Sequence, residues 1–146
     1  MTKPRREKLD LPFASDAEVV EMVVSFEACQ WPYLRWTHRA HLGVALCYLK
    51  QYPFEMALER IRHHIQLYNH TCGDPTGYHE TLTVLFMRRV DRYLRDHSEA
   101  ALAVSVEELA RICDRQWPSL YYSSDRLFSE EARSRWVEPD RRPLDF

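Results

Sequence analysis

Two histidines stand three residues apart in Trp36-Thr37-His38-Arg39-Ala40-His41-Leu42. On a helix, residues at i and i+3 share a face, so both imidazoles would look the same way. A His-x-x-His pair alone is a weak signal, because an inward histidine can be a satisfied core residue. It gains weight if a carboxylate and a third imidazole reach it from other elements, and Glu27 and His79 are placed to do so. Three imidazoles and a carboxylate suit a first-row divalent ion, zinc or iron above others. The expected metal ligands are Glu27, His38, His41 and His79. Glu80 lies about 100° around a helix from His79. That suits a general acid or base acting on bound water rather than a further ligand. Thr83, one turn beyond His79, would orient a ligand. Tyr68, Asn69, Tyr122 and Arg126 are the candidate substrate-binding residues. Position 83 is threonine, so His79-Glu80 does not open the H-E-x-x-H motif of zinc proteases.

Helices must position these groups. Ser15-Asp16-Ala17-Glu18 is a capping box, followed by Val19, Val20, Val23, Phe26 and Glu27 at helical spacing. Thr37 is the N-cap expected for a second helix, with an inward stripe of His38, His41, Ala45, Tyr48 or Leu49, and Tyr52. Pro53 opens a third, with Phe54, Leu58, Ile61, Ile65 and Tyr68 facing inwards. Gly73 should end it, and Gly73-Asp74-Pro75-Thr76-Gly77 is the clearest turn in the chain. A fourth helix begins at about Tyr78, with His79, Leu82 or Thr83, Phe86, Val90, and Tyr93 or Leu94 as its stripe. Ser105-Val106-Glu107-Glu108 reads as a capping box for a helix reaching about Trp117. Ser129-Glu130-Glu131-Ala132 is another cap-like start.

Strand-like alternation is nearly absent, and there is no internal repeat or low-complexity segment. The expected fold is all-α: a single-domain antiparallel bundle of four main helices with short C-terminal helices, over residues 15–146. Residues 1–14 read as a loose arm. Alternating up and down, the helices would bring to one end the finish of the first, the start of the second, the finish of the third and the start of the fourth.

The 146 residues carry a net charge of −2, which favours no nucleic-acid partner. No run is long enough to span a membrane and no leader-like segment opens the chain, so the expected location is the cytoplasm. Cys29, Cys47, Cys72 and Cys113 form no C-x-x-C motif and read as buried thiols in a reducing compartment. With three glycines there is neither G-x-x-x-x-G-K nor G-x-G-x-x-G, and G-x-S-x-G is missing too. His63 and His64 sit mid-helix, where at least one must face outwards, His70 lies near a helix C-terminus and His97 at the surface, and none of the four reads as a site residue. Tyr121, Tyr122, Ser123 and Arg126 form a second cluster that either covers the site and contacts a substrate or, the reading favoured here, packs the terminal segment, with Arg126 or Arg133 paired to a carboxylate such as Asp140.

Phe26-Glu27, Trp36-Thr37-His38 with His41-Leu42, Tyr68-Asn69, Gly77-Tyr78-His79-Glu80-Thr81 with Thr83, Tyr122-Ser123 with Arg126-Leu127 and Ser129, and Ala132-Arg133 with Trp136-Val137-Glu138-Pro139-Asp140 resemble a family of small uncharacterised bacterial helical proteins. The resemblance spans nearly the whole chain. It implies one domain and no particular chemistry. The chain departs from the family's pattern at the Cys29 to Tyr33 connector.

The functional expectation is a divalent-metal-binding helical protein acting on a small molecule. The reaction class is left open between a metal-dependent hydrolase and an oxidoreductase. A sensor or carrier would bind metal without turnover. The competing expectation is a metal-free module, with histidine, glutamate and tyrosine side chains forming a hydrogen-bonded pocket for a small ligand or a partner segment.

Overall fold

A computed structural model describes residues 7–146. The described residues form seven α-helices and no strand: α1 (Asp16–Glu27), α2 (His38–Gln51), α3 (Phe54–Thr71), α4 (Glu80–Asp96), α5 (Leu102–Ile112), α6 (Ser124–Leu127) and α7 (Glu130–Ser134). Short 3-10 turns lie at Tyr33–Arg35 and Trp117–Leu120. The all-helical expectation holds. No helix among the described residues is long and apolar enough to cross a membrane.

Helix α2 is the centre. It packs against α1, α3, α4 and α5, and its residues Leu42 to Tyr48 are buried without a break. The single inward stripe expected for it is therefore replaced by burial on every side, as a helix apolar all round requires. Gly43 lets α1 come close, since a Cβ there would lie 2.8 Å from Met22 Cε and 3.4 Å from Val19 Cγ1.

Local chemistry sets most boundaries. The Ser15, Thr37, Ser123 and Ser129 side chains accept from the backbone N–H groups of Glu18, Ala40, Arg126 and Ala132, capping α1, α2, α6 and α7. Ser105 does not cap α5. It lies one turn inside that helix, fully buried, with its hydroxyl 3.5 Å from that of Tyr93. The small apolar run Leu102-Ala103-Val104 extends the helix upstream of it. The segment expected as a loose arm is tied down from Lys8, because Lys8 Nζ donates to the Trp36 carbonyl, Asp10 pairs with Arg39, and Phe13 is buried near Trp31. Residues 1–6 lie outside the described residues.

The end of α1 departs from the usual chemistry. Gln30 N–H donates to Ser25 O and Cys29 N–H to Phe26 O, the paired bonds of a Schellman cap. That cap needs a left-handed residue, and Cys29 supplies it with φ 55°. No glycine among the described residues has positive φ, and Gly73 serves by its size, since a Cβ would come within 3.0 Å of Asn69 Cα. A left-handed conformation costs an L-residue about 1–2 kcal/mol, partly offset by the entropy a glycine loses on folding. Cys29→Gly is expected to stabilise the protein by about 0.5–1 kcal/mol, read as a higher urea midpoint. Cys29→Val should lower it.

Candidate functional site

The expected meeting of helix ends does occur, but aromatic rings fill it. Phe26 at the end of α1 stacks on Trp36, with centroids 4.5 Å apart and planes at 15°. Trp36 lies 5.1 Å from the ring of Tyr68 near the end of α3 and 3.8 Å from that of His41. The Tyr68 hydroxyl donates to Trp31 O at 2.7 Å, locking the connector between α1 and α2.

Each of the three histidines expected as ligands has a partner within the fold. His38 Nε2 donates to Cys113 O at 2.9 Å, and its ring meets Phe86 edge-on. His41 Nδ1 donates to Thr37 O at 2.7 Å. A carbonyl only accepts, so each contact fixes a neutral tautomer with one ring nitrogen left as a lone pair. Metal-bound histidines make the same kind of bond, so convergence has to decide. His79 has no lone pair left over. Its Nδ1 accepts from Leu82 N–H at 3.1 Å, capping α4, while Nε2 donates to Leu127 O at 2.6 Å. His79 therefore precedes the helix instead of belonging to its inward stripe, which runs through Thr81, Val84, Leu85, Met87, Val90 and Tyr93. Burial lowers the pKa of His38, His79 and His41, the last to about 4, so all three are neutral near pH 7.

Among the described residues, no three or more histidine, cysteine, aspartate or glutamate side chains converge as a metal-ligand set. The expected quartet of Glu27, His38, His41 and His79 is thus not assembled. Thr83 Oγ1 donates to His79 O and orients no imidazole. Glu80 is held by Arg62, through Nε at 2.9 Å and an Nη at 2.8 Å, and by the Tyr78 hydroxyl at 2.5 Å. Burial pushes the Glu80 carboxyl up, but the bonds from Arg62 and Tyr78 outweigh it and hold the pKa below the usual range. The Glu80–Arg62 pair ties α3 to α4. Glu80→Ala is expected to cost about 1–2 kcal/mol in urea unfolding, discounted because Arg62 is partly solvated.

The expected substrate-binding residues each have a partner within the fold. Tyr68 is fully buried and bonded to Trp31, while Asn69 packs beneath Gly73 and Gly77. The Tyr122 hydroxyl donates to Val137 O, and Arg126 Nε to Glu138 O. Asp140 accepts from the Ser123 backbone and hydroxyl, and Arg133 reaches Thr76 O. The C-terminal cluster thus packs the terminal segment, as read from the sequence, with Asp140 taken by a serine. The cysteines divide: Cys47 and Cys113 are buried thiols raised by burial to about 11, whereas Cys29 is half-buried and Cys72 exposed.

A different polar group lies where α1, α2 and α3 meet. Three buried side-chain atoms have no hydrogen-bond partner among the described residues: the Tyr48 hydroxyl, Arg60 Nε and His64 Nδ1. They are neighbours. The Tyr48 and His64 rings are 6.2 Å apart, and the Arg60 guanidinium sits 4.6 Å from the Tyr52 ring and 5.9 Å from that of Tyr48. Phe26, next to Glu27, brings the end of α1 within 6.3 Å of the His64 ring. Tyr48 is 1% exposed and forms the floor, while Glu27, Tyr52, Arg60 and His64 are half-buried around it. Burial raises the Tyr48 pKa most, and the Glu27 carboxylate raises it further, by its charge and as a potential acceptor for the hydroxyl, although the two do not meet in hydrogen-bond geometry. Burial lowers that of His64, against the opposing pull of Glu27. Two surface hollows, about 350 Å³ on the outer face of α3 and about 530 Å³ along α5, include none of these side chains.

Sequence reasoning picked out Glu27, but with His38, His41 and His79 as its partners. It placed Tyr48 on an inward stripe and set His64 aside. The available signal was Arg60 and His64, i and i+4 on one face of α3, opposite a tyrosine with nothing polar beside it in sequence. No family model, curated protein or solved structure matches the chain.

Proposed function

We propose that the protein is a metal-free small-ligand-binding module whose site is the cluster of Glu27, Tyr48, Arg60 and His64. The observation that carries this is the group of three unpaired polar atoms around a buried tyrosine. A buried polar group without a partner costs about 1–3 kcal/mol, and native proteins keep few of them. The protein's own side chains leave three polar atoms in one place without a hydrogen bond, and clustered polar groups that the fold itself does not pair are a feature of binding sites. A ligand that pairs them recovers that energy on binding. The half-buried rim gives it access from the surface, and the rigid α2 backbone beneath Tyr48 fixes the floor.

The metal-dependent reading has less support. It needs lone pairs from His79 that Leu82 N–H and the Nε2 proton already occupy. It also needs Glu27 to face His38 and His41, whereas Glu27 acts on Tyr48 and His64.

A thermal-shift panel of small carboxylates, amines, amides, sugars and amino acids tests the proposal. At least one member should raise the melting temperature of the wild type and leave Tyr48→Phe unmoved. If every shift persists in Tyr48→Phe, the site is misplaced. Stoichiometric divalent metal in untagged protein, lost on His41→Ala, would restore the metal reading.

A further inference from the structure

We infer that Cys29 and Cys72 are a dithiol–disulfide switch, a reversible modification site whose co-reactant is a small-molecule disulfide. The switch shares no residue with the ligand-binding cluster and does not depend on it.

The backbone brings the pair together. Cys29 follows α1 and Cys72 caps the end of α3, 43 positions apart in the chain. The Cys72 thiol nevertheless donates to the Cys29 carbonyl, with sulfur and oxygen 3.7 Å apart. One turn before Cys72, the Tyr68 hydroxyl donates at 2.7 Å to Trp31 O, two residues beyond Cys29. Two contacts thus hold the end of α3 against the residues that follow α1. A carbonyl oxygen lies about 3 Å from the Cβ of its own residue. Rotation of the two side chains about χ1 therefore carries the sulfurs towards bonding distance.

Core packing does not account for either cysteine. Cys47 and Cys113 are buried, as packing thiols are, whereas Cys72 is exposed and Cys29 half-buried. Cys29, with φ 55°, is also the one non-glycine residue among those described that is left-handed. Glycine or asparagine suits such a position at lower steric cost. A cysteine there contributes little to folding, but beside a second accessible thiol it supplies redox chemistry.

Cys72, the more exposed, reacts first. Its thiol loses a proton to solvent, and the thiolate attacks one sulfur of the small disulfide. That S–S bond breaks, one small thiolate leaves, and a mixed disulfide forms on Cys72. Cys29 then loses its proton and attacks the Cys72 sulfur, releasing the second small thiolate. Two protein thiols are oxidised by two electrons, the small disulfide is reduced to two thiols, and the two protons end on them. Burial raises the Cys72 thiol above its ordinary value, the Tyr68 hydroxyl opposing and Cys29 adding to the rise. Little thiolate is present near pH 7, so exchange is slow there and quickens as pH rises. An exposed cysteine joined to a left-handed one gives a labile disulfide, which excess small thiol reopens. The bond closes the loop that carries α2 and α3, so the oxidised form is the harder one to unfold.

Oxidised glutathione is the probe, added to the folded full chain at mildly alkaline pH, with products read by intact mass and peptide mapping. The wild type should form a Cys29–Cys72 disulfide, lose two of its four thiols and gain roughly 5–10 °C in melting temperature. A large excess of reduced glutathione should restore all four thiols. Cys29→Ser should stop at the mixed disulfide on Cys72 and show no such gain. Separate glutathione adducts on Cys29 and Cys72 of the wild type, with no bond between them, would overturn the switch. So would a wild type that keeps all its thiols, a disulfide to Cys47 or Cys113, or a Cys29–Cys72 bond that excess reduced glutathione leaves intact.

Discussion

His79→Ala is expected to destabilise the protein by about 3 kcal/mol, the largest effect of any single histidine change. Three losses combine. The Nδ1 cap on Leu82 N–H disappears, which typically costs about 1 kcal/mol. The Leu127 carbonyl loses its buried donor, for about 1–3 kcal/mol more. The imidazole also leaves a gap at a residue only 7% exposed. These overlap, so the total falls below their sum. His79→Asn should recover part of the loss, because asparagine is among the best N-caps but does not extend to Leu127. Urea unfolding of the three proteins reads the series directly. A loss below about 1 kcal/mol for His79→Ala would mean that the ring is not a cap, and would return it to the pool of candidate ligands.

Acidification from pH 6.5 to pH 4 is expected to cost on the order of 2 kcal/mol from His41 alone. Burial lowers its folded pKa from the ordinary 6.5 to about 4, the carbonyl of Thr37 opposing only in part. Above pH 6.5 the ring is neutral in both states and contributes no pH dependence. Between pH 6.5 and pH 4 the unfolded chain takes up a proton that the folded chain refuses, so stability falls as pH falls. A shift of this size would correspond to about 3 kcal/mol, reduced here because His41 as a residue is only half-buried. His38, His64 and His79 are shifted the same way and add to the loss. His41→Gln should show a shallower decline over this window in urea titrations at stepped pH. An equal slope in variant and wild type would place the burden elsewhere.

Both effects concern histidines that the sequence presents as ligands, and the reason is instructive. The all-helical class was legible because it follows from local periodicity and from the absence of alternation. The serine and threonine caps at Ser15, Thr37 and Ser129 were legible because a cap acts within one turn. His79 was not, since histidine is an unusual cap and its second bond, to Leu127, spans 48 residues. Ser105 misled for the opposite reason, its local pattern being overridden by the helical run before it. Cys29 occupies a backbone position that favours glycine, which no side-chain pattern announces.

The site shows the same division. That helix ends meet was legible from short connections. What they bring together was not, because rotation of a helix by one residue exchanges a wet face for a buried one. Glu27 was expected beside His38 and His41 at the start of α2. Its charge instead acts on Tyr48 near the other end of α2 and on His64 of α3. Arg60 is the clearest omission. An arginine on a helix reads as solvated until a tertiary contact buries its Nε over two tyrosine rings.

The most direct test of the account compares Tyr48→Phe with Tyr68→Phe in the ligand-free protein by urea unfolding. Both tyrosines are buried, but the Tyr68 hydroxyl donates to Trp31 O at 2.7 Å, whereas that of Tyr48 has only the Glu27 carboxylate near it and makes no bond of hydrogen-bond geometry among the described residues. Removing a bonded hydroxyl should cost about 1–2 kcal/mol, and removing an unpaired one should cost nothing or add stability. The account predicts that Tyr68→Phe is weakened and Tyr48→Phe is unchanged or stronger. A loss for Tyr48→Phe as large as that for Tyr68→Phe would show its hydroxyl to be satisfied within the fold, and would contradict the assignment of this cluster as a binding site.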